Sequence, residues 1–205
     1  MVVERRPTRL ECDVAGVPEP TLTWTKNGET LEEDGERLKV TRAGRILQIA
    51  AAEVADTGVY ACTATNVAGQ DQRVYRLQVT VPPLIDGSQV VEELSVTIGN
   101  SVTMDCPATG LPEPTIRWTR EGGEAFSFMF EPNVRIQEGG RKLVVFNAQL
   151  LDLGGYTCTA SNQAGNISKD FVLNVLGRAY TSANSTRIFL FGGLCRIVLG
   201  DLLID

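Results

Sequence analysis

Two stretches of this chain carry the same spaced set of residues, and that repetition limits the folds open to it more than any other feature. Cys12, Trp24, Asp56, Gly58, Tyr60 and Cys62 recur as Cys106, Trp118, Asp152, Gly154, Tyr156 and Cys158. In both copies Trp follows the first Cys by 12 residues, and the second Cys follows the first by 50 in one copy and 52 in the other. The copies agree between these landmarks as well. Gly16-Val17-Pro18-Glu19-Pro20 matches Gly110-Leu111-Pro112-Glu113-Pro114, and Asn66-Val67-Ala68-Gly69 matches Asn162-Gln163-Ala164-Gly165.

No helical period explains these positions, whereas two packed antiparallel sheets do. In such a sandwich a Cys on the second strand can reach a Cys on the sixth across the sheet gap. A Trp from the third strand packs against them, and a Tyr two residues before the second Cys anchors a corner. Residues 8–13, 21–26, 38–41, 46–50, 58–66 and 73–81 read as β-rich runs punctuated by Gly, Pro and Asn, with counterparts in the second copy. Leu47 and Ile49 flank Gln48, and Leu143 and Val145 flank Val144, a period of two that turns one face of each strand into a core. The expected fold class is all-β.

These residues resemble the I-set immunoglobulin domains of extracellular and muscle proteins. Within that set, Leu47-Gln48-Ile49 leading to Asp56-Thr57-Gly58-Val59-Tyr60-Ala61-Cys62, and Val81-Pro82-Pro83 at the junction, are similar to the tandem immunoglobulin array of the hemicentin type. The resemblance covers roughly the first 176 residues. It implies two tandem immunoglobulin-like (I-set) antiparallel β-sandwiches, at 1–81 and 82–176, followed by a non-homologous C-terminal tail at 177–205. It implies bridges Cys12–Cys62 and Cys106–Cys158, with Trp24, Trp118, Tyr60, Tyr156, Asp56 and Asp152 in structural roles. The function it implies is a matrix or cell-surface adhesion module acting through protein–protein binding. An intracellular titin-like spacer with reduced cysteines is the alternative, because compartment rather than fold sets the redox state.

Charge and composition narrow the partners. A net charge of -6 and a pI near 4.8 argue against a nucleic-acid surface, which needs a basic stripe to displace phosphate counterions. The expected partners are other proteins of the matrix or cell surface, further copies of the chain included. The chain has no histidine, which removes the commonest general base and metal ligand, and no Gly-rich phosphate loop or nucleophile elbow appears. No enzyme activity, cofactor or metal is expected.

Three groups of side chains invite a functional reading. Asp56 and Asp152 are expected to order the turn before the sixth strand, with Arg37 and Arg135 as the cations facing them. Glu29, Glu32, Glu33, Asp34 and Glu36 form an acidic run without the ligand order of a calcium loop, and a solvated loop is expected there. Phe126, Phe128 and Phe130 alternate with Ser127 and Met129, so one strand face carries all three rings. Turned inward they join the core; turned outward they form a partner surface.

Four of the five cysteines fall at the two pairs, which points to an oxidising compartment, and Cys195 has no partner in the pattern. Asn166-Ile167-Ser168 and Asn184-Ser185-Thr186 are glycosylation sequons. The expected localisation is the extracellular matrix. The opening residues lack the apolar core of a secretory leader, and only eleven residues precede Cys12, so the first domain is expected to be N-terminally truncated and the chain a fragment. Arg5 takes the position equivalent to Gly99. Residues 188–204 are apolar but short for a membrane span, and they include Arg196 and Asp201. The tail is expected to pack poorly.

Overall fold

Strands alternate with tight turns throughout the computed structural model, which describes residues 1–121, 132–177, 180–182 and 185–187. In the first copy the strands are β1 (Val2–Val3), β2 (Thr8–Glu11), β3 (Thr21–Lys26), β4 (Glu29–Thr30), β5 (Leu38–Thr41), β6 (Ile46–Ile49), β7 (Gly58–Asn66), β8 (Gly69–Leu77) and the start of β9 (Val79–Ile85), whose Ile85 belongs to the second core. In the second they are β10 (Glu92–Thr97), β11 (Val102–Asp105), β12 (Ala108–Leu111), β13 (Thr115–Arg120), β14 (Val134–Gln137), β15 (Lys142–Val145), β16 (Gly154–Asn162) and β17 (Gly165–Leu176). The run read from sequence as 73–81 is two strands broken at Gln78, and β9 continues through Pro82 and Pro83.

Each copy is a compact unit built from two sheets. In the first, β2-β6-β5 faces β4-β3-β7-β8; in the second, β11-β15-β14 faces β10-β17-β16-β13. The alternation of β6 places Leu47 and Ile49 in the core and Gln48 outside, as the period-two pattern requires. Cys12, Trp24, Leu38, Leu47, Ile49, Tyr60, Cys62 and Leu77 form the first core. The second is larger among the described residues, because Met104, Phe171 and Val175 join the equivalent set.

The upstream strand of the second unit, β10, lies parallel to β17, with Val96 opposite Val175 and Thr97 opposite Leu176. The first unit keeps the last two rungs of the same arrangement, Val2 opposite Val79 and Val3 opposite Thr80. The Arg5 N–H donates to Ala52 O at 2.7 Å and the Gly99 N–H to Ala148 O at 2.9 Å, and both residues have positive φ, 62° and 89°. Arg5 therefore occupies a left-handed position that glycine fills without cost. Within the tail, Tyr180–Ser182 pairs antiparallel with Ser185–Arg187. Phe126, Phe128, Phe130, Asn184 and Cys195 lie outside the described residues.

Candidate functional site

The corner before the sixth strand is built alike in both units. The Tyr60 hydroxyl donates to Asp56 O at 2.8 Å, and Tyr156 donates to Asp152 O at 2.7 Å. Each Asp ends a single 3-10 turn, Val54–Asp56 or Leu150–Asp152, and is almost wholly buried. Its carboxylate folds back to accept a backbone N–H three residues upstream, from Glu53 or from Gln149, at 2.8 Å in both cases. Each carboxylate is thus engaged by the backbone of its own turn.

The partner opposite that carboxylate differs between the units. Arg37 Nη1 meets Asp56 Oδ2 at 2.6 Å, with Glu53 and Asp34 also near its guanidinium. The hydrogen bond to Asp56 raises the pKa of Arg37 further above its already high value. In the second unit Asn133, not Arg135, faces the carboxylate, with Nδ2 to Asp152 Oδ2 at 2.8 Å. Arg135 instead donates to Pro132 O and Val134 O. Leu38 pairs with Ile49 and Val134 with Val145, so Arg37 and Asn133 are the matching positions and Arg135 lies two residues beyond. Aligning the buried Leu38 with Val134 carries that signal in the sequence.

Burial pushes the Tyr60 pKa up to about 12, with the Asp56 charge adding and Arg37 opposing. An unfolded tyrosine titrates near 10. The contribution of Tyr60 is therefore complete below pH ~10 and is lost as pH rises toward its folded value. Tyr60→Phe is expected to cost about 0.5–1.5 kcal/mol at neutral pH through the missing hydrogen bond. It should also flatten the alkaline fall in stability, read by thermal melts across that range beside phenolate absorbance.

Each indole is held at both ends. Trp24 Nε1 donates to Gly44 O and Trp118 Nε1 to Gly140 O, both at 2.7 Å. Gly44 and Gly140 have φ of 90° and 98°, and a Cβ at Gly44 would come within 2.6 Å of Leu22 Cβ. On the other side, Trp24 stacks on Tyr75 with Arg73 over that ring, and Trp118 meets Phe171 with Lys169 over it. The spacing Arg73-x-Tyr75 and Lys169-x-Phe171 marks this in the sequence, but no landmark of the repeat includes it. The bridged pairs Cys12–Cys62 and Cys106–Cys158 lie in the same cores, with Cα atoms 6.2 and 6.5 Å apart.

The acidic run is more than a solvated loop. Asp34 Oδ1 accepts the N–H groups of Glu36, Arg37 and Leu38, and Glu33 Oε2 accepts the N–H of Val40. The hydrogen bond from Leu38 lowers the pKa of Asp34, though burial opposes it. Two N–H groups of β5 are thereby covered by carboxylates, a device that blunts pairing with another chain. Among the described residues, no group of three or more His, Cys, Asp or Glu is placed to hold a metal ion.

Two surfaces of the first unit remain. A shallow hollow of about 530 Å³ lies over β2, β5 and β6, lined by Arg9, Arg37, Lys39, Glu36 and neutral neighbours. Its cations are already engaged in part, Arg9 with Glu11 and Arg37 with Asp56. The other is the outer face of β3, β7 and β8. Thr23, Thr63 and Gln72 form one row across it and Thr21, Thr65 and Gln70 the next. The Gln72 amide donates to Thr63 Oγ1 at 3.1 Å. In the second unit, Asn166 is exposed on β17, and Ser168 Oγ lies 2.8 Å from Thr159 Oγ1. Among the described residues, no helix is long and apolar enough to cross a membrane.

Comparison with known proteins agrees with this architecture. The chain is similar to Hemicentin-1 of Mus musculus, 41% identical over 172 residues, which is 84% of this chain and 3% of that protein. It therefore spans about 3% of the length of such relatives. Among solved structures it is similar to the N-terminal eight immunoglobulin domains of Down Syndrome Cell Adhesion Molecule, with a TM-score of 0.73 and 29% identity over 85% of this chain and 23% of that one. It is also similar to the titin I-band fragment I67–I69, with a TM-score of 0.63 and 26% identity over 86% of this chain and 62% of that one. The profile of the immunoglobulin I-set domain matches residues 2–79 and 87–175. With two such matches, each over a two-sheet unit with its own Cys–Trp–Tyr core, the chain belongs to the immunoglobulin I-set family.

Proposed function

We propose that this chain is a non-catalytic interaction module of the extracellular matrix or cell surface, in which the domains at 1–81 and 82–176 present sheet faces and loops to other proteins. The observation that carries the reading is the pair of cysteine bridges, one buried in each core, in a chain similar to Hemicentin-1. Bridges persist in oxidising compartments, and a reducing one keeps thiols free. The carboxylates of Asp56 and Asp152 are engaged by their own turns, and those of Asp34 and Glu33 by N–H groups of β5. The net charge of -6 suits protein partners rather than nucleic acid.

The compartment is tested on protein taken from tissue. Peptide mapping without reduction is expected to recover Cys12 linked to Cys62 and Cys106 linked to Cys158. Asn166 is expected to carry an N-glycan, seen as a drop in peptide mass on glycosidase treatment, because its side chain is exposed on β17. Free thiols at all four cysteines with an unmodified Asn166 would sink the extracellular reading and favour an intracellular titin-like spacer.

A further inference from the structure

We propose that the outer face of β2, β6 and β5 in the first unit docks an acidic, extended segment of another protein, whose carboxylates are received by Arg9 and Lys39 on either side of Gln48. Arg9 pairs with Gln48 across one strand boundary and Lys39 with Gln48 across the other, so the three form one row over the sheet. All three are exposed, because Leu47 and Ile49 take the core side of β6. The row belongs to the hollow of about 530 Å³ that Thr8, Glu36 and Arg37 also line.

The polar heads of this row are open to a ligand. Among the described residues, the Lys39 ammonium and the Gln48 side-chain amide have no hydrogen-bond or ion-pair partner. Arg9 gives Nε to Glu11 Oε1 at 2.9 Å and keeps both Nη groups for another acceptor. That pair is exposed at both ends, so it yields readily to a competing carboxylate. Arg37 is not available in the same way, since Asp56 holds it at 2.6 Å. In a chain of net charge -6, two such cations beside an amide are a local reversal of sign. The matching row of the second unit is Thr103, Val144 and Arg135, and its cation is turned to the carbonyls of Pro132 and Val134.

The spacing of charge selects the occupant. Arg9 and Lys39 stand two strand intervals apart, about 10 Å, and alternate residues of an extended chain repeat every ~6.7 Å on one face. The flexible stems of Arg and Lys take up the difference. Carboxylates at alternate positions therefore reach both cations, the Arg9 fork holding one through two N–H groups and Lys39 the other. Between them the Gln48 amide can both donate to and accept from the peptide backbone. A uniformly sulfated glycan fits less well, because the Glu11 and Glu36 carboxylates beside the cations repel a continuous run of negative charge.

The proposal rests on the interaction-module reading, whose own test, the linked cysteines and the glycan at Asn166, is read separately and stands or falls without it. The probe is a blocked peptide of about seven residues alternating Glu with Thr, titrated into the isotope-labelled full chain. The amide resonances of Arg9, Lys39 and Gln48 are expected to shift and saturate with a Kd on the order of 100 µM at ~50 mM salt, weakening at least ~3-fold at ~300 mM. Lys39→Glu and Arg9→Glu are each expected to raise that Kd at least ~10-fold at an unchanged melting temperature, while Arg117→Glu on the second unit leaves it as it was. Lys39→Gln, which removes the charge without reversing it, carries the same test if a reversal lowers the melting temperature. Absence of shifts in this row, equal binding of a peptide with Gln for Glu, or an affinity untouched by the Arg9 and Lys39 variants would overturn the proposal. So would a heparin-derived tetrasaccharide that displaces the peptide and binds the row more tightly.

Discussion

Replacing Cys12 and Cys62 together by Ala is expected to unfold the first unit near body temperature while the second stays folded. The bridge closes a loop of 50 residues, for which the chain-entropy estimate of stabilisation is about 4 kcal/mol. A domain of this size has only ~4–12 kcal/mol to lose. The first core is also the smaller one among the described residues, so less apolar burial remains to offset the loss. The matching variant, Cys106→Ala with Cys158→Ala, should lower the stability of the second unit by a similar amount without unfolding it at the same temperature. Calorimetry of the full chain, read as two transitions, checks both outcomes. A first transition shifted by less than the second would contradict the ranking of the two cores.

Asp56→Ala is expected to cost about 3 kcal/mol, because it removes the acceptor of the Glu53 N–H and the close partner of a half-buried guanidinium in one step. The loss stays below that of a fully buried pair. Arg37 keeps Glu53 and Asp34 within 3.7–3.8 Å and retains partial exposure. Asp56→Asn should cost about 1–2 kcal/mol, since an amide oxygen can still accept the Glu53 N–H while the ion pair is gone. In the second unit Asp152 faces a neutral amide, so Asn133→Ala should cost less than Arg37→Ala. Chemical denaturation of the four variants supplies the comparison. Equal costs for Arg37→Ala and Asn133→Ala would mean that the ion pair adds nothing to the corner.

The two-sheet architecture was legible because a disulfide-bridged sandwich fixes chemistry at fixed spacing. Cys12, Trp24, Tyr60 and Cys62 each meet a requirement of distance or hydrogen bonding that few other side chains meet, so their order in the chain encodes their places in space. The Asp56 carboxylate accepts the Glu53 N–H three residues upstream and also meets Arg37. The partner of Asp152 was not legible in the sequence. Assigning it needs the strand register of β14 on β15, and a shift of two residues keeps every side chain on the same face, so hydrophobic alternation leaves it open.

The sequence by itself determined the all-β class and the immunoglobulin I-set family, because those depend on periodicity and on residue types at fixed spacing. Tertiary structure decided which loop carbonyls receive the indoles, which carboxylates cover the edge of β5, and which outward-facing side chains of separate strands come together in one row. Each of these joins residues far apart in the chain through side chains that elsewhere would be ordinary surface. Thr23, Thr63 and Gln72 share a row only because β7 lies between β3 and β8, and local sequence holds no record of that order.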